Sequence, residues 1–226
     1  MLKRLALGGL QWTFQRFSDF TMLDRYRMQR LAMRYTQSES VPGDYFEFGT
    51  RTGRSLVYAY TSAKKVGCLD GMRFHVFDSF EGFPEPQGLD RIIMRFRKGE
   101  ALGRLEDFER NLRRNRVERS VVTVIKGWYS DTLNEATRTR LNASGAKVVN
   151  IDCDLYESAI AALRFVTPYV QSGTVILFDD YYCFKGDPEL GERRAVREWL
   201  EENPHIRLTD WIGYETVGKS FIANVR

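Results

Sequence analysis

Tyr45-Phe46-Glu47-Phe48-Gly49-Thr50-Arg51-Thr52-Gly53-Arg54-Ser55 passes from alternating aromatic and polar residues into a glycine-bearing turn, then into a segment that can be helical. A strand, a tight turn with two glycines and a helix form the opening unit of a βα repeat. From residue 44 onward the same alternation recurs. Strands are expected at 45–49, 74–77, 121–125, 148–151 and 174–178, with helices at 55–65, 102–112, 132–141, 158–169 and 195–202. Repeated strand–helix alternation predicts a doubly wound, mostly parallel sheet with helices on both faces, an α/β fold of the Rossmann-like kind. The tail reads as two further strands, 206–211 and 220–225. Their link is too short for a crossover helix, so the seven-stranded sheet should end antiparallel. Residues 1–40 have a helical pattern and are expected to form an N-terminal helical extension to a domain spanning 41–226.

Composition limits what such a domain can be. The chain has 226 residues, 43% hydrophobic and 28% charged, which excludes global disorder. Its longest uncharged runs fall short of the ~20 apolar residues of a membrane span. Cys68, Cys153 and Cys183 are widely spaced, with no CxxC pair, and His75 and His205 lie far apart. A Cys/His zinc site is therefore disfavoured, and free thiols in a reducing cytoplasm are expected. The start, Met1-Leu-Lys-Arg-Leu-Ala-Leu, lacks the length and cleavage site of a signal peptide. It reads as an arm whose Trp12, Phe14, Phe17 and Phe20 suit a contact with a second subunit.

The net charge of +4 is concentrated. Residues 91–119 hold nine arginines and Lys98 against five acids, leaving the rest of the chain slightly acidic. This segment is either the solvated face of an amphipathic helix or the mouth for an acidic ligand. No stretch shows the aromatic and basic interleaving of an RNA-binding sheet.

In open α/β sheets ligands bind beyond the carboxyl ends of the strands, so the residues there carry the functional information. The first end is Glu47-Phe48-Gly49, whose turn lets a ligand approach the backbone. Its GxxxG spacing is not the GxGxxG of nicotinamide enzymes. Asp78 ends the second strand, suited either to a ribose diol or to capping its own turn. Asp152 and Asp154 follow the fourth strand, and Asp179 and Asp180 the fifth. Carboxylates crowded in one crevice must protonate, stay wet or share a cation, and an all-oxygen set suits Mg²⁺. Helix capping by Asp154 is the competing explanation.

Taken together, Val41-Pro-Gly-Asp-Tyr-Phe-Glu-Phe-Gly49, Val76-Phe-Asp-Ser-Phe-Glu-Gly-Phe-Pro84, Gly127-Trp-Tyr-Ser-Asp-Thr-Leu133, Ile151-Asp-Cys-Asp-Leu-Tyr-Glu-Ser158 and Phe178-Asp-Asp-Tyr181 resemble the macrocin O-methyltransferase family over roughly residues 40–200. The resemblance implies a class I methyltransferase fold, S-adenosylmethionine and Mg²⁺ as cofactors, and a small-molecule hydroxyl, such as that of a sugar, as acceptor. It places Glu47, Gly49, Thr50, Gly53 and Ser55 along the methionine part of the cofactor and Asp78 on the ribose. Ser79 and Phe80 would lie beside the adenine, with Gly127 and Trp128 closing that side. Asp152, Asp179 and Asp180 would bind the metal, and Asp154 would be the general base. The family's glycine pair is replaced by Gly53-Arg54, and an insert at 183–191 follows the metal aspartates. The competing functions are a metal-independent methyltransferase acting on nucleic acid and a non-catalytic partner module of the same fold.

Overall fold

The computed structural model describes residues 24–88, 91 and 97–226. The seven strands are β1 (Asp44–Phe48), β2 (Phe74–Asp78), β3 (Val122–Lys126), β4 (Ala146–Ile151), β5 (Val175–Phe178), β6 (Ile206–Tyr214) and β7 (Gly218–Val225). Their order across the sheet is β3-β2-β1-β4-β5-β7-β6. The first five are parallel, while β7 runs antiparallel to β5 and β6 antiparallel to β7. The expected seven-stranded, doubly wound sheet is therefore present. Chain order reverses between β1 and β4, which puts the ligand crevice of such a sheet above Gly49 and Asp152.

Helices cover both faces. On one side lie α1 (residues 24–38), α2 (Arg54–Val66) and α3 (Leu105–Arg114). On the other lie α4 (Glu135–Leu141), α5 (Tyr156–Val166) and α6 (Gly191–Glu202). The strands supply both cores by alternation. Phe46, Phe48, Ile151 and Phe178 pack with Phe165 and Trp199 of α5 and α6. Tyr45, Val148 and Leu177 pack with Met28, Leu56 and Phe108 of α1, α2 and α3. Each such side chain taken fully out of water contributes roughly 1.5–3 kcal/mol. The Phe48 and Phe77 rings stack at 4.7 Å across the centre.

Several boundaries move from their sequence-based positions, for local reasons. Leu102 is exposed, and α3 begins only at Leu105. The helix expected at 132–141 is α4, which starts only at Glu135 after Asn134, whose side chain accepts a hydrogen bond from the Thr137 N–H at 3.0 Å, and a separate helical turn, Tyr129–Thr132, precedes it. The segment expected at 158–169 is α5 followed by a 3₁₀ turn, Thr167–Tyr169, carrying Pro168. Helix α6 starts at Gly191 rather than 195, and its first turn buries the charged Glu192. The hairpin strands are longer than expected, and a register shift between Asp210 and Gly213 breaks their apolar alternation.

Met28, Ala32 and Met33 of α1 are buried against the sheet. The aromatic arm of the first twenty residues, and the subunit contact expected of it, lie outside the described residues. Among the described residues no helix is long and apolar enough to cross a membrane. The three cysteines are free.

Candidate active site

A cavity of about 1060 Å³ opens over the carboxyl ends of β1, β2, β3 and β4. Of the residues assigned to a cofactor by sequence, Gly49, Thr50, Ser55, Asp78, Ser79, Gly127 and Trp128 line it. Glu47, Gly53 and Phe80 do not line it. Gly53 packs below the turn against the Phe108 ring. Phe80 has a positive φ of 58° that turns its ring into the core, 5.6 Å from Phe108, rather than toward an adenine.

Asp78 holds the turn in shape. One carboxylate oxygen accepts the N–H groups of Thr50 and Arg51, each at 2.8 Å, and the other accepts that of Phe80 at 2.7 Å. The carboxylate thus caps its own turn and pins the glycine-bearing loop to β2, while still facing the cavity. Of the described part of the basic segment, only Glu100 and Ala101 line the cavity. The arginines that do are Arg25, Arg51 and Arg54. Arg110 and Arg119 instead pair with Asp107 and Glu109 on the helix surface.

Glu47 is fully buried beneath this loop. Its Oε2 accepts the Tyr45 hydroxyl at 2.5 Å, and Tyr45 in turn accepts from Gln29 Nε2 at 3.1 Å. Its Oε1 has no partner. Burial pushes its pKa from 4.5 to about 7, against the opposing pull of its hydroxyl neighbours. The folded state then holds the proton more tightly than the unfolded chain. The Glu47 contribution to stability is fully present below about pH 4.5 and falls as pH rises through 7. Glu47→Gln removes this titration with little change of shape. Denaturant unfolding of wild type and variant should therefore show an advantage for the variant that grows from pH 4 to 7 and then levels off. A pH-independent difference would disprove the assignment.

The aspartates converge from two strands. Oxygens of Asp152, Asp154 and Asp180 lie within 4.8 Å of one another. Asp152 and Asp154 line the cavity, with Asp180 beside them. Asp179 is outside this group of three and pairs with Arg25 of α1, which also meets Asp152 at 3.3 Å and Glu215 at 2.6 Å. The four aspartates expected at the site are thus brought to one region, but the three that gather are not the three assigned to the metal by resemblance. Burial, then Asp180 and Asp152, push the Asp154 carboxyl well up. Burial also raises Asp152, where Arg25 works in the opposite direction. Asp154 adopts a left-handed φ of 57°, a conformation that costs energy in any residue but glycine and clusters at functional sites. Three carboxylates this close in a low-dielectric setting suit a hard divalent cation, so the donor set fits Mg²⁺.

Sequence reasoning did not single out Arg25, Glu192 or Glu215. Glu192 is 1% exposed, accepts the Asp180 N–H at 3.1 Å and leaves its Oε1 without a partner. The sequence carries no signal for it, since Glu192 sits in a charged turn with Arg193 and Arg194, both half-buried.

A doubly wound sheet with this strand order, a glycine turn after β1 and acids after β4 and β5 defines the class I methyltransferase fold. The macrocin-O-methyltransferase (TylF) family model matches residues 9–209, and the chain belongs to that family. The chain is 32% identical over 149 residues to 8-demethyl-8-(2,3-dimethoxy-alpha-L-rhamnosyl)-tetracenomycin-C 4'-O-methyltransferase of Streptomyces olivaceus, 64% of this chain and 55% of that protein. It is 31% identical over 169 residues to demethyldecarbamoylnovobiocin O-methyltransferase of Streptomyces niveus, 72% of this chain and 62% of that protein. The matches thus span only 55% and 62% of the two relatives' lengths. Among solved structures, the O-methyltransferase NovP superposes with a TM-score of 0.75 at 24% identity, covering 90% of this chain and 80% of that one.

Proposed function

We propose that this chain transfers a methyl group from S-adenosylmethionine to a hydroxyl of a sugar or similar small molecule, with a divalent cation, Mg²⁺ by its chemistry, at the aspartates. The observation that carries the reading is the meeting of Asp152, Asp154 and Asp180 beside the cavity that Gly49, Thr50 and Asp78 also line. The names of the relatives, with O-methylation of a rhamnosyl group in one, support the acceptor class. A cavity of about 1060 Å³ is of a size to hold a cofactor and a small acceptor together.

The glycine turn lets the cofactor lie against backbone, and Asp78 retains lone-pair capacity for a ribose hydroxyl. Trp128 offers a flat apolar wall that excludes water from one side of the cavity. Asp152 and Asp180 would hold the cation, which when bound lowers the pKa of a hydroxyl beside it. Asp154, at the cavity wall, would take the hydroxyl proton, since a bound cation beside it would favour its ionised form, and alignment of acceptor and donor would supply much of the remaining rate.

Calorimetric titration with S-adenosylhomocysteine tests the cofactor assignment. Wild type should bind. Asp78→Ala should bind more weakly by roughly 1–3 kcal/mol, since it loses both a hydrogen-bonding carboxylate and the clamp on the turn. Absence of binding to wild type, with tight binding of NAD instead, would reject the methyltransferase reading.

A further inference from the structure

Arg25 projects from α1 into the group of acids and divides its guanidinium among three chain segments. Nη1 reaches Asp152 after β4 at 3.3 Å, Nη2 reaches Asp179 after β5, and Nε reaches Glu215 in the β6–β7 turn at 2.6 Å. The preceding residue, Asp24, accepts the Glu215 N–H at 2.5 Å, so two successive side chains tie the helix to this end of the sheet. Among the described residues, the ion pairs made by Asp152, Asp179 and Glu215 all come from Arg25. Among the same described residues Asp154 and Asp180 have none.

We propose that Arg25 is a positioning residue that sets the divalent-ion affinity of the acidic site by holding Asp152 and Asp179 with a fixed positive charge that an incoming ion must displace or share. The inference rests on the cation assignment above and adds a control on it. A guanidinium stays charged at every physiological pH and fits carboxylates through a planar fork, so its grip does not relax by deprotonation. It supplies the folded, ion-free protein with a counter-charge for acids that would otherwise repel one another. It also places a like charge beside any bound cation. For charges about 5 Å apart in a medium between protein and water, that repulsion weakens ion binding by roughly tenfold or more. The same contact couples the site to the seating of α1, because Met28 and Met33 are buried on the helix that carries Arg25.

A purely structural role and the proposed one predict opposite signs. If Arg25 only shapes the acids, its loss should scatter them and weaken ion binding. If it competes with the ion, its loss should strengthen binding. The test is calorimetric titration of the ion-free full chain with Mn²⁺, together with thermal melts in chelator and in Mn²⁺. Arg25→Met should bind Mn²⁺ about tenfold or more tightly than wild type and melt lower in chelator, with Mn²⁺ closing the gap. Arg25→Lys keeps a charge but cannot span three acids, and should bind a few-fold more tightly. If wild type binds and Arg25→Met binds equally or more weakly, the proposal is overturned while the cation assignment stands. Should Arg25→Met fail to fold, Arg25→Lys decides, with unchanged or weaker binding overturning the proposal. If neither wild type nor the variants bind Mn²⁺, the cation assignment falls and the role of Arg25 with it.

Discussion

Asp154→Asn is expected to reduce kcat by about 10²-fold or more while changing cofactor binding by no more than a few-fold. The substitution is well suited to isolate the proton-accepting role. Asparagine tolerates a left-handed backbone nearly as well as aspartate, so the φ of 57° adds no new strain. It keeps one side-chain oxygen to face a cation and loses only the ability to take a proton. Divalent-ion affinity should therefore fall by less than about tenfold. Asp180→Asn, by contrast, alters one of the two carboxylates proposed to hold the cation and should lose ion binding and turnover together. Asp179→Asn separates the two possible ligand sets. Its carboxylate is engaged by Arg25, so ion binding should suffer less than in Asp180→Asn. Steady-state kinetics and Mn²⁺ calorimetry on the three variants check these outcomes. Activity of the wild type should also vanish in excess chelator and return with Mg²⁺. Loss of ion binding in Asp154→Asn, with Asp179→Asn unaffected, would make Asp154 a ligand and move the base elsewhere. Full activity in chelator would remove the cation from the chemistry.

The division between Asp179 and Asp180 shows what was legible in the sequence. Strand ends were readable because short apolar runs stop at acids and glycines, and this located Gly49, Asp78, Asp152 and Asp179 with respect to the crevice. The direction of each side chain was readable too, through the period of two along a strand. Ile151 and Phe178 belong to the α5 side of the core, so the next residues, Asp152 and Asp179, turn to the α1 side. That parity explains why one arginine on α1 meets both. The same parity puts Glu47 beside Tyr45 and Gln29 under the turn, in place of the cavity wall. Arg25 and Glu215 were not legible, since each reaches Asp179 or Asp152 from an element distant in sequence, and Glu192, only twelve residues after Asp180, was hidden among the charges of its own helix turn. The inward turn of Phe80 follows from a positive φ that no residue type at that position announces. The basic segment left two readings open for a related reason: charge density along the chain does not say which face of α3 looks toward the cavity.

Gly49→Ala should cost roughly 4 kcal/mol or more and deprive the protein of its cofactor site at once. The position carries two separate demands. Its φ of 85° lies in the left-handed region that side chains disfavour, a penalty of about 1–2 kcal/mol by itself. In addition, an added Cβ would lie 1.8 Å from the carbonyl oxygen of Asp152. That neighbour is backbone and cannot rotate away, so β1 and β4 would have to part. Their separation would break the Asp152 N–H bond to the Phe48 carbonyl, at 2.9 Å, and strain the Gly49 N–H bond to Phe77, also at 2.9 Å. The first of these bonds closes the crevice at the point where chain order reverses, so the floor of the cavity would be lost together with the stability. Gly67→Ala provides the control. It has a comparable φ of 80°, with nothing within 4 Å of an added Cβ, and should lose only the backbone penalty. Urea unfolding of both variants measures the difference. Equal losses would mean that conformation alone, and not the close approach of β4, requires glycine at position 49.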